Sequence, residues 1–178
     1  GGKPITTNAD RTLKRGARRN LDRYQLRRDN LIEILINKNF IEKDTPLTEI
    51  GKDTTHETLS LRAKAAHHEI SLCDLSKMLL TINKKRGYKS SRKSKDENDG
   101  VAVDGMAIAK ILYNEALTPG QYVYNLLQRD KKFIPDFYPS DLKAEFAAIW
   151  AVQKSYYPEI LTYELNQSLQ GKNKGQTW

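Results

Sequence analysis

Apolar residues recur at intervals of three and four along most of the chain, the spacing that places side chains on one side of an α-helix. In the first such segment, six apolar positions fall within a sector of about 80° on a helical wheel. They are Leu13, Ala17, Leu21, Tyr24, Leu31 and Leu35. This seam predicts a long helix from Ala9 or Asp10 to about Asn37, with Thr7, Asn8 or Asp10 as its N-cap. From Leu31 onward the run LIEILI is almost continuously apolar, so we expect this end to be buried.

Helix-start signals recur through the rest of the chain. Thr54 with Glu57 and Ser71 with Asp74 have the spacing of capping boxes. Two further starts, Thr118-Pro119 and Pro139-Ser140-Asp141, place proline in a first turn. These signals predict helices from 54 through Ala66, from 71 to Arg86 with a stop at Gly87, over 103–117, from 119, over 139–156 and over 159–169. With six or seven helices and no convincing strand, the predicted fold class is all-α.

Two breaks in composition divide the chain. Residues 44–53 contain Pro46 and Gly51 among polar residues, and residues 96–100 read DENDG, a polar interruption. We therefore expect a lead-in over residues 1–9, a long helix over 10–37, a first helical part over 38–95 and a second helical part over 96–178.

Charge is distributed unevenly along these parts. Residues 1–95 carry 22 Lys and Arg against 11 acids, a net charge of +11, whereas residues 96–178 carry 8 against 11, a net charge of −3. From Arg11 to Arg28 there are eight basic residues and one acid, Asp22. A charge run is usually a solvated helix face, but such a face intersperses Glu with Arg, and like pairs here cost a few tenths of a kcal/mol each. This imbalance favours a polyanionic partner, because guanidinium groups match phosphate oxygens bidentately.

A second basic stretch lies between Lys84 and Lys95. It holds seven basic residues and no acid, with Tyr88 and three serines among them. By itself this pattern is typical of either a phosphate-binding segment or a disordered linker.

The sequence lacks the usual patterns of catalysis, metal binding and membrane insertion. His67 and His68 point about 100° apart on a helix and have no zinc-like spacing with Cys73. The sequence shows no nucleophile paired with a base, no glycine-rich phosphate loop and no carboxylate pair suited to two metal ions. Cys73 is the single cysteine, which is typical of a reducing cytosol, and no apolar run has the length of a membrane span. We expect a soluble protein with no catalytic residue, metal or cofactor. The chain opens on Gly1-Gly2, so we also expect a piece of a larger protein.

Two stretches resemble one known family. LKRGARRNLDRYQLRRDNLIEIL, residues 13–35, resembles the arginine-rich bridge helix of the type II CRISPR RNA-guided DNA endonucleases, Cas nine in words. LRAKAAHHEISLCDLSKMLLTINKKRGYKSSRK, residues 61–93, is similar to the segment that follows in that family, where a helix ends in an arginine-glycine-aromatic turn. Residues 101–170 are more loosely similar to the helical recognition lobe of the compact members. The order and separation of the first two stretches make the resemblance specific, and the span from the start of the first to the end of the second is about half of the chain.

The resemblance implies how the chain is organised and what it binds. Residues 10–37 would be the bridge helix, and residues 38–95 and 96–178 would be two parts of the recognition lobe. The implied partners are the guide RNA (crRNA with tracrRNA), the target DNA strand as an RNA-DNA heteroduplex, and the nuclease lobe of the parent protein. Basic positions shared with the family imply RNA contacts at Lys14, Arg15, Arg18, Arg19, Arg23, Arg27, Arg86, Lys89, Arg92 and Lys93. Asp22 and Leu26 fall where many relatives have arginine, which implies a weaker grip there.

The resemblance also implies what this chain leaves to the rest of its parent. The parent would be a magnesium-dependent DNA endonuclease of the bacterial cytoplasm, acting in antiviral defence. Its RuvC-like and HNH nuclease domains have no counterpart in these residues, so we expect the chain itself not to be an enzyme. Two alternatives stay open: an unrelated basic all-α protein that binds nucleic acid, and a helical module whose arginine helix docks on an acidic protein.

Overall fold

The computed structural model describes residues 7–47, 54–85, 105–130, 135 and 137–170. These residues form seven α-helices and no strand, which confirms the predicted all-α class. The helices are α1 (Asn8–Asn37), α2 (Thr54–Ala65), α3 (Leu72–Lys85), α4 (Gly105–Asn114), α5 (Pro119–Gln128), α6 (Pro139–Tyr156) and α7 (Tyr163–Leu169).

The local start signals of the sequence place several helix ends correctly. Thr7 is the N-cap of α1: its hydroxyl accepts from Asp10 N at 3.2 Å, and its own N–H donates to Asp10 Oδ2 at 3.0 Å. Thr118 and Gln121 form the same reciprocal pair at the start of α5. The hydroxyl of Ser71 accepts from Asp74 N at 3.0 Å before α3. These bonds satisfy backbone N–H groups that have no partner within the helix.

Other predicted boundaries were wrong by a few residues. The last helix begins at Tyr163 and not at residue 159, because the hydroxyl of Thr162 caps it by accepting from Leu165 N at 3.2 Å. α4 ends at Asn114 and not at residue 117, because Ala116 adopts a left-handed φ of 51° that turns the chain out of the helix. The capping-box spacing of Thr54 and Glu57 predicts Thr54 as the N-cap, whereas Thr54 is the first residue of α2. The predicted stop at Gly87 lies outside the described residues.

The hydrophobic core lies between the second half of α1 and helices α3, α6 and α7. Leu31 and Leu35 of α1 are 0% and 1% exposed, which confirms that the LIEILI end of the helix is buried. Partners in the same core include Leu75, Met78, Leu79, Ile82, Phe146, Ile149, Leu161 and Leu169. The core therefore holds only one end of α1.

Gln153 of α6 joins the end of α2 to the start of α3. Its Nε2 donates to the carbonyls of Ala65 and His68, both at 2.7 Å, and its Oε1 accepts from Ile70 N at 3.2 Å. Tyr157 adds a bond from its hydroxyl to the carbonyl of Ile70 at 2.8 Å. Gln153 is fully buried, so these bonds satisfy the amide of a side chain that water does not reach.

Candidate nucleic-acid interface

The first half of α1 presents its basic side chains to solvent. Lys14, Arg15, Arg18, Arg19 and Arg23 are all exposed. Among the described residues, no ion pair within 4.0 Å involves any of these five cations. The helix is continuous from Asn8 to Asn37, so it brings these predicted site residues together on one rod. Their charges are available to an external partner.

Arg27 lies where α1 enters the folded body. Its side chain is half-buried, and its Nε has almost no contact with solvent and no hydrogen-bond partner within the described part of the chain. A buried N–H without an acceptor costs about 1 to 3 kcal/mol, more for a charged group. Arg28, the next residue, is also half-buried.

Two of the acids on α1 are engaged locally. The carboxylate of Asp10 accepts from the hydroxyl and the backbone N–H of Thr7, and these bonds lower the pKa of Asp10 from its ordinary value of 3.8. Its negative charge therefore stays at the helix N-terminus, where the helix dipole favours it. Asp29 accepts from Gln25 Nε2 at 2.9 Å. Neither interaction neutralises the arginines between them.

An apolar strip accompanies the cations on the exposed half of α1. Leu13 is 77% exposed and Leu21 is 64% exposed, and Ala17 between them is exposed as well. These residues continue the seam that carries Leu31 and Leu35 into the core. The seam is thus covered at one end of the helix and open at the other.

The second predicted group of RNA contacts, Arg86, Lys89, Arg92 and Lys93, lies outside the described residues. α3 leads toward this segment and ends at Lys85, with Lys84 exposed in its last turn. RNA binding by these four residues stays a prediction.

His56 of α2 and His67, which follows the end of α2, contact side chains of α5. His67 contacts the side-chain amide of Gln121, and the ring of His56 packs edge-on against Tyr124 with centroids 5.6 Å apart. Within the described ranges, no three or more His, Cys, Asp or Glu side chains are grouped so as to hold a metal ion. None of the helices in that same part has the length and apolar content needed to cross a membrane.

A buried polar contact between three helices was not predicted from the sequence. Arg62 of α2 and Glu145 of α6 form a buried bidentate ion pair, and Glu145 Oε1 also accepts from Gly120 N at the start of α5. One signal was present in the sequence: Glu145 falls in the same helical sector as Leu142 and Ile149, so an acid lies on the buried face of α6.

Neither a protein-family model nor a curated protein matches the sequence. Among solved structures, the chain is similar to one described as "Cryo-EM structure of St1Cas9-sgRNA-tDNA20-AcrIIA6 dimeric assembly". The TM-score is 0.63 and the sequences are 21% identical, over 91% of this chain and 20% of the other chain. At this identity the match shows a shared fold. The chain spans about a fifth of the length of the protein that it matches.

Proposed function

We propose that this chain is a nucleic-acid-binding part of a Cas nine-type RNA-guided endonuclease, in which α1 grips the sugar-phosphate backbone of a guide RNA and of its heteroduplex with target DNA. The observation that carries the proposal is α1 itself. It is a rod anchored at one end, and no ion pair with a described residue involves its exposed cations. The fold shared with a Cas nine chain over 91% of this chain supports the assignment.

The mode of binding follows from the chemistry of arginine. Guanidinium groups donate two parallel hydrogen bonds to phosphate oxygens and keep their charge at all physiological pH values. Contacts to phosphates fix the register and orientation of a nucleic acid but carry no base code. Such a surface suits an RNA whose sequence changes from one guide to the next.

The apolar strip of α1 has a different part in the proposal. Leu13 and Leu21 are exposed on the side of the helix that carries the core leucines. In the parent protein the nuclease lobe would cover this strip, while RNA occupies the cationic side. This chain would contribute no catalytic group, and magnesium-dependent cleavage would belong to nuclease domains elsewhere in the parent.

Charge reversal tests the binding surface directly. The variant carries Arg15→Glu, Arg18→Glu and Arg19→Glu, and the matched control reverses three exposed cations on other helices, Lys110, Lys143 and Lys154. Affinity for a single-stranded RNA oligonucleotide is measured between about 50 and 200 mM salt. We expect the α1 variant to lose affinity and to flatten the slope of log Kobs against log salt by about 2, because each lost contact removes about 0.7. Unchanged affinity and slope in the α1 variant would refute the proposal.

The choice of ligand separates the alternatives. With a structured guide RNA and a DNA duplex of equal length, the proposal requires the RNA to bind more tightly. A preference for the duplex would favour an unrelated basic nucleic-acid-binding protein. A partner captured equally well after nuclease treatment would favour the protein-interaction module.

A further inference from the structure

The buried apolar side chains of this chain fall into two groups. The core described above takes residues from α1, α3, α6 and α7 and from the end of α2, and none of the described residues of α4 or α5 belongs to it. Five further buried apolar side chains lie outside that core, on α2, α4, α5 and the start of α6. They are Leu59, Ile108, Leu112, Val123 and Leu142. We call the helices α2, α4 and α5 the outer unit.

The ion pair of Arg62 and Glu145 lies at the boundary between the two groups on both helices that carry it. On each helix, the residue three positions before the charged residue lies outside the core, and a residue three or four positions after it belongs to the core. These residues are Leu59 and Ala65 on α2, and Leu142 and Ile149 on α6. Both partners of the ion pair are buried, so a polar layer separates the two apolar groups.

The helices of the outer unit hold to each other. In the first turn of α2 the ring of His56 lies edge-on against Tyr124 of α5, with centroids 5.6 Å apart. In the last turn α5 approaches so closely that a Cβ added to Gly120 would lie 2.7 Å from Arg62 Cβ. α4 is joined to α5 by residues 115–118 alone. α2 and α5 therefore pack along the length of α2, and α4 follows α5.

One carboxylate of α6 connects the outer unit to the rest of the chain at the polar layer. Glu145 accepts from Arg62 Nε at 3.1 Å, from Arg62 Nη2 at 2.5 Å and from Gly120 N at 3.0 Å, and all three donors belong to the outer unit. The attraction within a buried ion pair is largely offset by the lost hydration of both charges. Separation at this layer returns that hydration, whereas separation within the apolar core does not. The polar layer is therefore the boundary that opens at the lower cost.

The segment directly after α2 stays with the core. Ala65 and Ile70 are both buried members of that core. Gln153 of α6 also binds the carbonyls of Ala65 and His68 and the N–H of Ile70. Residues 65–70 are thus fixed on α6, and they supply a hinge about which α2 can move.

We propose that the outer unit opens from α6 as one body, about residues 65–70, while the core stays folded. Glu145 is the latch of this movement, because its bonds to Arg62 and Gly120 form only in the closed state. Opening exposes the face of α6 that carries Leu142 and Glu145. Proteins open in cooperative parts of unequal stability, and here the polar layer sets the border between two such parts. This inference does not depend on RNA binding by α1.

Amide hydrogen exchange of three variants and of the unmodified chain tests the proposal. The variants are Ile82→Val in the core, Glu145→Gln at the latch, and the exposed Glu164→Gln as control. Exchange is compared for residues 123–127 of α5 and residues 79–82 of α3. An opening that leaves the core folded does not respond to a change in the core, whereas global unfolding does.

In the unmodified chain the α5 amides should exchange faster than the α3 amides. Ile82→Val should accelerate the α3 amides by about 2- to 10-fold and leave the α5 amides unchanged. Glu145→Gln should accelerate the α5 amides by about 100-fold or more, and Glu164→Gln should change neither group. Equal acceleration of both groups by Ile82→Val would show a single cooperative unit and overturn the proposal. Unchanged α5 exchange in Glu145→Gln would show that this carboxylate is not the latch.

Discussion

Arg62 of α2 and Glu145 of α6 form a bidentate ion pair in the interior, with Nε to Oε1 at 3.1 Å and Nη2 to Oε2 at 2.5 Å. The side chains are 7% and 0% exposed. Glu145 Oε1 also accepts from the backbone N–H of Gly120 at 3.0 Å, so one carboxylate ties together α2, α5 and α6. Breaking such a pair leaves a charge buried without its partner, which is costlier than never having the pair.

Glu145→Gln should therefore lower the free energy of unfolding by about 3 to 5 kcal/mol, because it leaves the Arg62 guanidinium buried without an ionic partner. Adding Arg62→Met should recover most of this loss, since the glutamine oxygen still accepts from Gly120 N and no charge remains. Urea denaturation of both variants measures the effect. The exposed Glu164→Gln is the control and should stay within about 0.5 kcal/mol of the unmodified chain. If the double variant is less stable than Glu145→Gln, the stranded charge is not the cause.

Replacing each of two helical glycines with alanine should change the stability of the protein in opposite directions. A Cβ at Gly120 would lie 2.5 Å from Glu145 Oε1 and 2.7 Å from Arg62 Cβ, so Gly120→Ala must displace the ion pair. A Cβ at Gly16 would meet nothing within 4 Å, so Gly16→Ala should stabilise α1 by up to about 1 kcal/mol. Thermal unfolding distinguishes the two outcomes. The geometry would be contradicted if Gly120→Ala left the melting temperature unchanged or Gly16→Ala lowered it.

Features that depend on neighbouring residues could be predicted from the sequence, whereas contacts between distant residues could not. The long α1, its buried end at Leu31 and Leu35, and the caps at Thr7 and Thr118 depend on residues within a few positions, so the pattern predicted them. The exposed cations of α1 could be predicted for the same reason, since an uninterrupted helix fixes their relative positions.

The ion pair of Arg62 and Glu145 could not be predicted in this way, because its partners are 83 residues apart and are matched only by the packing of α2 on α6. Gln153 reaches Ala65 across 88 residues for the same reason. The start of α7 was predicted at residue 159, directly after the break at Pro158, whereas the hydroxyl of Thr162 determines where the helix begins. The partners in such long-range contacts could not be predicted, because they are set by how the helices pack in the folded chain.

Tyr157 should make the stability of the chain depend on alkaline pH. Burial, reinforced by a hydrogen bond and by the charge of Glu69, raises the pKa of Tyr157 above its ordinary value of 10.0. The folded state therefore holds the phenol proton more tightly than the unfolded state. This contribution is complete below pH 10 and is lost as pH rises above that value toward the folded pKa.

Chemical denaturation at a series of pH values checks this dependence. The unmodified chain should lose stability above pH 10 more steeply than Tyr157→Phe, which has no phenol to titrate. Near pH 7 the variant should be about 1 kcal/mol less stable, because the bond from the Tyr157 hydroxyl to the carbonyl of Ile70 is gone. Parallel curves for the two proteins would show that Tyr157 is not the responsible group.

The two halves of α1 should differ in amide hydrogen exchange. Residues around Leu31 and Leu35 are held by the core, whereas every side chain from Asn8 to Arg23 is exposed. A helical segment without tertiary packing is marginal in water, so the amides of Arg15 to Arg19 should exchange much faster than those of Leu31 to Leu35. Thr7→Ala, which removes the N-cap, should accelerate exchange in the first half alone and leave the second half unchanged.

Adding RNA should slow exchange in the first half of α1, because ligand binding to a folded segment stabilises it by mass action. Slowing confined to the second half would place the RNA elsewhere. Uniformly strong protection from Arg11 to Leu35 without RNA would contradict the marginal stability expected for the first half, and would mean that α1 holds its shape before it meets a ligand. A fast-exchanging first half that slows on binding would instead show that part of the binding energy is used to order the helix that carries the arginines.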